Sequence, residues 1–375
     1  MEQKSPPVAI IKPARLASID ALRGFDMLMI AGGGTFIQLM GGKTGLAWLD
    51  AVAAQFEHPE WHGFAFYDFI FPLFLFLAGT SLPFSLQSGL AKGFSKSTLL
   101  RKVFRRMLVL ILLGILYKNA PVDIFDPAHI RYGSVLGRIG IGTFLTAVLY
   151  LNFSQNQRLY IAIGILISYF LALRFIPVPG YGAGDFSFEG NLVGWFDRHF
   201  MPGRLLQKTY DELALFTQLP AVCLVIFGTL AGETLRSHIT PSAKLQRLLI
   251  FGAIGIAAGV LWNFIFPINK HLWSSSFILL TAGLAFWSLA LFYAIIDVLG
   301  FIKWSFFFRV IGMNSLVMYL GYRFIDFDDT ARLLFSGIYG HLADDWHGVF
   351  NALGGLLVAW LFLYFLWRKK VFVKV

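Results

Sequence analysis

The sequence predicts an all-α membrane protein, a polytopic helical bundle of about ten transmembrane helices with both termini cytoplasmic. Three observations predict it. The 375 residues are 57% hydrophobic and only 14% charged, with a mean hydropathy of +0.68, whereas soluble domains are about 25% charged. Apolar segments near the roughly 20 residues that cross a hydrocarbon core of about 30 Å recur from end to end. Basic residues, finally, collect on alternate loops.

In chain order the spans are expected at 18–40, 64–86, 103–118, 136–151, 159–176, 214–235, 247–266, 274–297, 305–324 and 349–367. The first reads as a retained span rather than a signal peptide, because it is long and carries Asp20, Arg23 and Asp26 at its front. Residues 1–14, with Pro6, Pro7 and Pro13, read as a disordered cytoplasmic tail. Residues 15–370 form a single transmembrane domain, since no polar interval is long enough for a soluble one. The third and fourth spans are short. The stretch "ARLLFSGIYGHL" (331–342) is too short to cross and reads as an amphipathic piece on the outer surface.

Orientation follows from the cations. Lys4, Lys12 and Arg15, the cluster from Lys92 to Arg106, the group Arg236, Lys244 and Arg247, and the tail Arg368, Lys369, Lys370 and Lys374 share one side. Asp326, Asp328, Asp329, Asp344 and Asp345 fall on the other. That asymmetry makes the first side cytoplasmic and turns the loops 41–63, 177–213 and 267–271 outward, as in a bacterial inner membrane. The net charge of +10 thus belongs to topology, and no nucleic-acid partner is expected. The single Cys223 sits in an apolar segment, which leaves no disulfide framework and no cysteine metal site. The many aromatics, among them 40 Phe, suit both lipid contact and a homodimer interface.

Four stretches carry chemistry. In "RLASIDALRGFD" (15–26), Asp20 and Arg23 share a helix face and can pair; the segment reads as a salt-bridged helix entrance or as an anchor for a nucleotide phosphate. "FEHPEWHGFAFYDFIFPLFLFLAGTSLPF" (56–84) loads His58, His62, Glu57 and Glu60 at the lip of an apolar run and puts Asp68 just inside it. A carboxylate within a span needs a partner or a polar cavity. Two histidines four apart around a proline are a weak zinc signal, and no metal is expected; a histidine general base at the membrane mouth is more economical. "FPINKHLWSSSF" (266–277) is either a tight turn with serine capping or a set of donors for a carbonyl or sugar oxygen. "GMNSLVMYLGYRF" (312–324) places Asn314 in an apolar span, where interhelical hydrogen bonding accounts for it. Arg131 and Arg138, at an outer helix start, read as snorkelling cations.

Together these stretches resemble the transmembrane acetyltransferases typified by heparan-alpha-glucosaminide N-acetyltransferase and its bacterial relatives. The matching pieces are Arg15, Asp20, Arg23 and Gly24; His58, Trp61, Gly63, Asp68, Phe71 and Pro72; Pro267, Asn269, Lys270, Leu272, Trp273 and Ser274; and Gly312 to Ser315, in that order over roughly residues 15–325. The resemblance implies transfer of acetyl from cytoplasmic acetyl-CoA to a glucosamine-type amino sugar at the outer face. It makes His58 the active-site histidine, with Asp68 holding its ring. Asn269, Lys270, Asn314, His62 and Trp61 would bind the acceptor or the developing oxyanion, and Arg15, Arg23, Arg105 and Arg106 the phosphates of acetyl-CoA. Direct transfer and an acetyl-histidine intermediate both remain open. The eukaryotic members carry an Asn where this chain reads "AGGGTF" (31–36), and a His where it has Tyr322. The rival expectations are an O-acetyltransferase of an envelope glycan and a proton-linked transporter of a sugar or organic anion, in which His58 and Asp68 would carry protons.

Overall fold

A computed structural model describes residues 16–123, 125–339 and 341–373. Arg15 and the expected tail 1–14 lie outside the described residues.

Most of the described chain is helical, and its one paired-strand element is a hairpin of two residues per strand. Its helices are α1 (Ala17–Leu28), α2 (Gly34–Met40), α3 (Ala47–Ala54), α4 (Phe66–Ala91), α5 (Lys96–Asn119), α6 (Val135–Asn152), α7 (Gln155–Phe175), α8 (Leu192–Phe200) and α9 (Gln218–Arg236). After them come α10 (Pro241–Trp262), α11 (Ser275–Tyr293), α12 (Phe306–Met313), α13 (Ser315–Phe324), α14 (Phe327–Leu334), α15 (Ser336–Tyr339) and α16 (Asp344–Arg368). The hairpin pairs β1 (Pro177–Val178) with β2 (Gly182–Ala183) between α7 and α8.

Seven of these segments are long and apolar enough to cross a membrane: α4, α6, α7, α9, α10, α11 with its π-helical extension to Val298, and α16. The remaining expected spans differ for local reasons. The first is interrupted by a π turn at Met29–Gly33, where Gly32 takes φ 147°, a conformation closed to residues with a side chain. The expected 305–324 span breaks at Asn314 into α12 and α13. α5 is 24 residues long, but its first half carries Lys96, Arg101, Lys102, Arg105 and Arg106. The 331–342 stretch folds as the end of α14 plus the short α15, and neither has the length to cross.

Burial sorts the helices into centre and rim. The apolar stretch of α9 is 89% buried, while that of α10 is only 17% buried. Helices apolar all round are either enclosed by neighbours or turned to lipid, so α9 is the central post and α10 belongs to the perimeter. α9 lies directly against α4. A Cβ on Gly79 would stand 2.1 Å from the Val225 carbonyl oxygen, and one on Gly228 2.1 Å from that of Phe76. Small residues permit this backbone approach. α1 crosses α12 the same way at Gly24 and Gly312, and its first two free N–H groups donate to the Asp297 carboxylate at 3.2 Å.

At the end of the bundle that carries the 55–65 and 263–274 loops, Arg131 and Arg138 correct the snorkelling expectation. The 201–217 loop folds back over both. Arg131 is 4% exposed and forks onto Asp211 at 2.7 and 2.8 Å. Arg138 is 1% exposed, donates to Thr217 and the Ala214 carbonyl, and lies 4.4 Å over the Trp273 ring. They brace the loop layer from inside.

The α4–α9 contact yields a test. Gly228→Val should lower the apparent Tm in detergent by several degrees, in line with about 1–3 kcal/mol for overpacking. Gly164→Val, where a Cβ meets nothing within 4 Å, should leave it unchanged. Equal Tm values for the two variants would refute the close contact.

Candidate active site

The site forms where two loops meet above the start of α4. α3 ends at Ala54, and Gln55 ties the next turn down: its carbonyl accepts from Tyr67 N–H at 3.0 Å and its side chain from Phe66 N–H at 3.3 Å. Asp68, three residues into α4, turns one oxygen back to the Ala65 N–H at 2.9 Å. That is the usual duty of an acidic group in a first turn, where the helix dipole favours negative charge. Its other oxygen is spent elsewhere. Asp68 Oδ1 lies 2.6 Å from His58 Nδ1 and 3.5 Å from Lys270 Nζ.

An ionised carboxylate only accepts, so the short contact assigns the ring proton to Nδ1 and leaves the lone pair of His58 on Nε2. Lys270 Nζ stands 3.0 Å from Nε2 and 3.3 Å from Nδ1, off the axis of the Nε2 lone pair, which stays open. The imidazole also stacks on Tyr67, with centroids 5.1 Å apart and planes 13° from parallel. Asp68 is buried while His58 is 40% exposed. The arrangement is a hydrogen-bonded carboxylate, an imidazole with a usable nitrogen turned to a mouth, and an ammonium beside it. Such a group can take a proton from a nucleophile and stabilise negative charge on an oxygen.

The second loop is held by Asn269, which is fully buried. Its amide nitrogen donates to the Trp61 carbonyl at 2.8 Å and reaches His62 Nδ1 at 3.1 Å, and its oxygen accepts from Leu272 N–H at 2.8 Å. Both amide protons are committed, so Asn269 clamps the two loops together. The clamp lets Trp273 keep φ 48°, a costly conformation for a bulky residue. His62 faces this clamp and not His58; burial pushes its imidazole pKa down, which suits an acceptor nitrogen. Trp61 is enclosed by rings, stacked on His271 (5.3 Å, 7°) and edge-on to Phe188 and Tyr210, with its N–H donated to the Phe186 carbonyl.

Three neighbours escaped sequence reasoning. His271 Nδ1 is 2.7 Å from the Tyr210 hydroxyl and 3.6 Å from Glu212 Oε2. Burial raises the Glu212 carboxyl, but the His271 hydrogen bond and the charges of Lys270, His271 and Arg138 overcome it and bring the pKa to about 2. Burial and the charges of Glu212 and Asp211 push the Tyr210 phenol up. His271 was next to a residue already singled out; Glu212 and Tyr210 sit in a long loop with no local signal.

The other expected site residues lie apart. Asn314 hydrogen-bonds the C-terminal tail, donating to the Val371 carbonyl and accepting from Val373 N–H, both at 3.1 Å. Arg23 donates to Ser81 on α4 at 2.6 Å and approaches Asp20 at 3.6 Å. Arg106, on α5, is close enough for its charge to feel that of Arg23, and Arg105 is exposed. A cavity of about 200 Å³ opens beside the π turn, lined among others by Ala31, Gly32, Thr35, Tyr117, Tyr322 and Asp328. The two departures noted above, 31–36 and Tyr322, therefore meet at one cavity. The Tyr322 hydroxyl and Asp328 Oδ1 are buried there without a hydrogen-bond partner among the described residues. Gly34, the neighbour of the cavity-lining Thr35 in the chain, lies against Tyr67: a Cβ there would stand 2.7 Å from the Tyr67 ring.

Residues 15–259 match the family model described as heparan-alpha-glucosaminide N-acetyltransferase, catalytic. Among curated proteins, the human and mouse heparan-alpha-glucosaminide N-acetyltransferases are each 28% identical to the chain. The human alignment covers 97% of the chain and the mouse alignment 96%. The chain spans about 60% of the length of each.

The clamp is testable apart from any activity. Asn269→Asp keeps the shape but replaces the donor to a buried carbonyl, and should cost about 1–3 kcal/mol, seen as a lower apparent Tm. His62→Ala, at the exposed edge, should cost clearly less. The reverse order would show that Asn269 is not the clamp.

Proposed function

The chain belongs to the heparan-alpha-glucosaminide N-acetyltransferase catalytic family, and on that premise we propose that it is an integral membrane N-acetyltransferase moving acetyl from cytoplasmic acetyl-CoA to an outer-face amino sugar. The observation that carries the reading is the Asp68–His58–Lys270 cluster at the mouth of α4.

The steps balance without a further reactant. The acceptor nitrogen attacks the thioester carbonyl carbon while His58 Nε2 takes the nitrogen's proton. Asp68, on Nδ1–H, stabilises the imidazolium that forms. The tetrahedral oxyanion collapses, the C–S bond breaks, and the proton held by His58 is available to the departing thiolate. An ammonium such as Lys270 favours the oxyanion. Acetyl-CoA is too charged to cross, so its phosphates would stay near Arg23, Arg105 and Arg106 while the acetyl arm enters the bundle. Arg15, outside the described residues, joins that expectation.

Topology follows the same reading. The seven apolar helices, with α1–α2, α5 and α12–α13, make about ten crossings, and the basic loops then face the cytoplasm.

Purified protein with labelled acetyl-CoA and a panel of amino sugars tests the proposal. Wild type should transfer acetyl to a glucosamine-type acceptor, and His58→Ala should lower kcat by on the order of 10²–10⁴-fold. Transfer retained in a folded His58→Ala would discard the mechanism and keep the enzyme. Proton-coupled sugar uptake in vesicles with no acetyl transfer would discard both.

A further inference from the structure

A second space opens along the last helices, away from the His58 cluster. It is a cleft of about 420 Å³ among Arg332, Ser336, Tyr339, His347, Gly348 and Asn351. The cleft continues the smaller cavity beside the π turn. Asp328 lines that cavity and Arg332 lines the cleft, four residues further along one face of α14; Ala352 and Gly348 stand in the same relation on α16. The two helices run antiparallel, with Asp328 against Gly355, Ala331 against Gly354, and Tyr339 bonded to Asn351. α2 runs beside both spaces, since Thr35 lines the cavity and Leu39 lies 3.9 Å from where a Cβ on Gly348 would stand. Cavity and cleft thus succeed each other about one helical turn apart, in one groove of α2, α14 and α16.

The polar groups of the groove have hydrogen-bonding capacity left over. The Tyr339 hydroxyl donates to Asn351 Oδ1 at 3.0 Å, which leaves the Asn351 amide protons unspent among the described residues. His347 Nε2 donates to the Tyr339 carbonyl at 3.0 Å, and its Nδ1 stands 3.9 Å from Asp344, too far for a hydrogen bond. Nδ1 is therefore an open acceptor. In the cavity, the Tyr322 hydroxyl and Asp328 Oδ1 have no partner among the described residues, and Tyr117 and Tyr319 stack at 4.4 Å in the wall. Aromatic rings interspersed with donors and acceptors suit the apolar ring faces and hydroxyls of a sugar. Charge narrows the choice further. Asp328 and Asp329 sit in the first turn of α14 behind Asp326, Asp344 and Asp345 in the first turn of α16, and Arg332 is already paired with Asp329 at 3.2 Å. An anionic ligand meets repulsion at both ends of the groove, and an uncharged or cationic one does not.

We propose that this groove binds a glycan of uncharged or amino sugars through two successive units, one in the cavity at Asp328 and Tyr322 and one in the cleft at Tyr339, His347 and Asn351. Hydroxyls of the unit in the cleft accept from the Asn351 amide and donate to His347 Nδ1; those of the unit in the cavity donate to Asp328. A free monosaccharide fills one space and leaves the polar groups of the other unspent. On the acetyltransferase reading, on which this step rests, the acceptor is therefore the end of a glucosamine-type chain and not a polyanionic one. The topology proposed above turns α14 and α15 outward, the side from which such a chain arrives.

Binding measured without acetyl-CoA reads the groove apart from turnover. Isothermal titration of the full chain in detergent compares glucosamine, its chitosan-type disaccharide and the same disaccharide carrying N-sulfates. The plain disaccharide should bind on the order of tenfold tighter than the monosaccharide, as a few added hydrogen bonds allow, and the sulfated one more weakly than the plain one. Asn351→Ala removes the amide donors, and Ser336→Trp fills the cleft from its exposed rim. Each should bring the ratio of the two plain affinities close to one, and Ser336→Trp serves alone if Asn351→Ala fails to fold. Equal affinity for one and two units in wild type overturns the proposal, as does the absence of disaccharide binding. A ratio that survives Ser336→Trp, or a preference for the sulfated disaccharide, overturns it too. Acetyl transfer by the same proteins separates the two ideas. Transfer to glucosamine with no advantage for the disaccharide keeps the enzyme and discards the groove. Disaccharide binding that the variants remove, with no acetyl transfer, keeps the groove as a sugar site and discards the transferase.

Discussion

The buried carboxylate of Asp68 is the constraint on which the loop-bearing end depends. An unpaired charge at the entrance to an apolar helix costs several kcal/mol, and this one is answered from three directions. The start of its own helix supplies the Ala65 N–H and the positive end of the dipole. The 55–65 loop supplies His58, and a loop 212 residues further along supplies Lys270. Because Lys270 must arrive from so far away, the two loops have to be locked together. Asn269, bonded to the Trp61 carbonyl, is the lock. The polar lip of an apolar segment is thus the cause of the loop architecture above it.

A second layer of charge sets what faces that lip. Buried ion pairs add little net stability and act mainly through geometry. The fork of Arg131 on Asp211 shows the consequence: Asp211 also accepts from the N–H groups of Leu206 and Leu213, so the backbone on both sides is fixed. Glu212, the next residue, is thereby presented to His271.

Much of this was legible in the sequence where the signal was local. The helical membrane class follows from composition, and His58, Asp68 and Lys270 announced themselves as ionisable groups among apolar ones. Their convergence was not written in spacing, since His58 and Lys270 meet only through tertiary closure. Local polarity also misled. Asn269 looked like a donor awaiting a ligand, but its amide protons are used on the Trp61 carbonyl and His62. Asn314 looked like an interhelical contact, but it holds the tail beyond α16. Arg131 and Arg138 looked like cations reaching for water until a loop folded over them. In each case the deciding partner lies in a distant segment that periodicity does not register.

The packing holds the helices of the centre in close pairs: the backbones of α4 and α9 touch at Gly79 and Gly228, and those of α1 and α12 at Gly24 and Gly312. Transfer between compartments needs a partition thin enough for two reactants to meet across it. Here the ring of Tyr67 stacks on His58 and lies against Gly34, next to Thr35 in the cavity wall. On the acetyltransferase reading, this scaffold of closely packed helices keeps the two reactants in register across that wall.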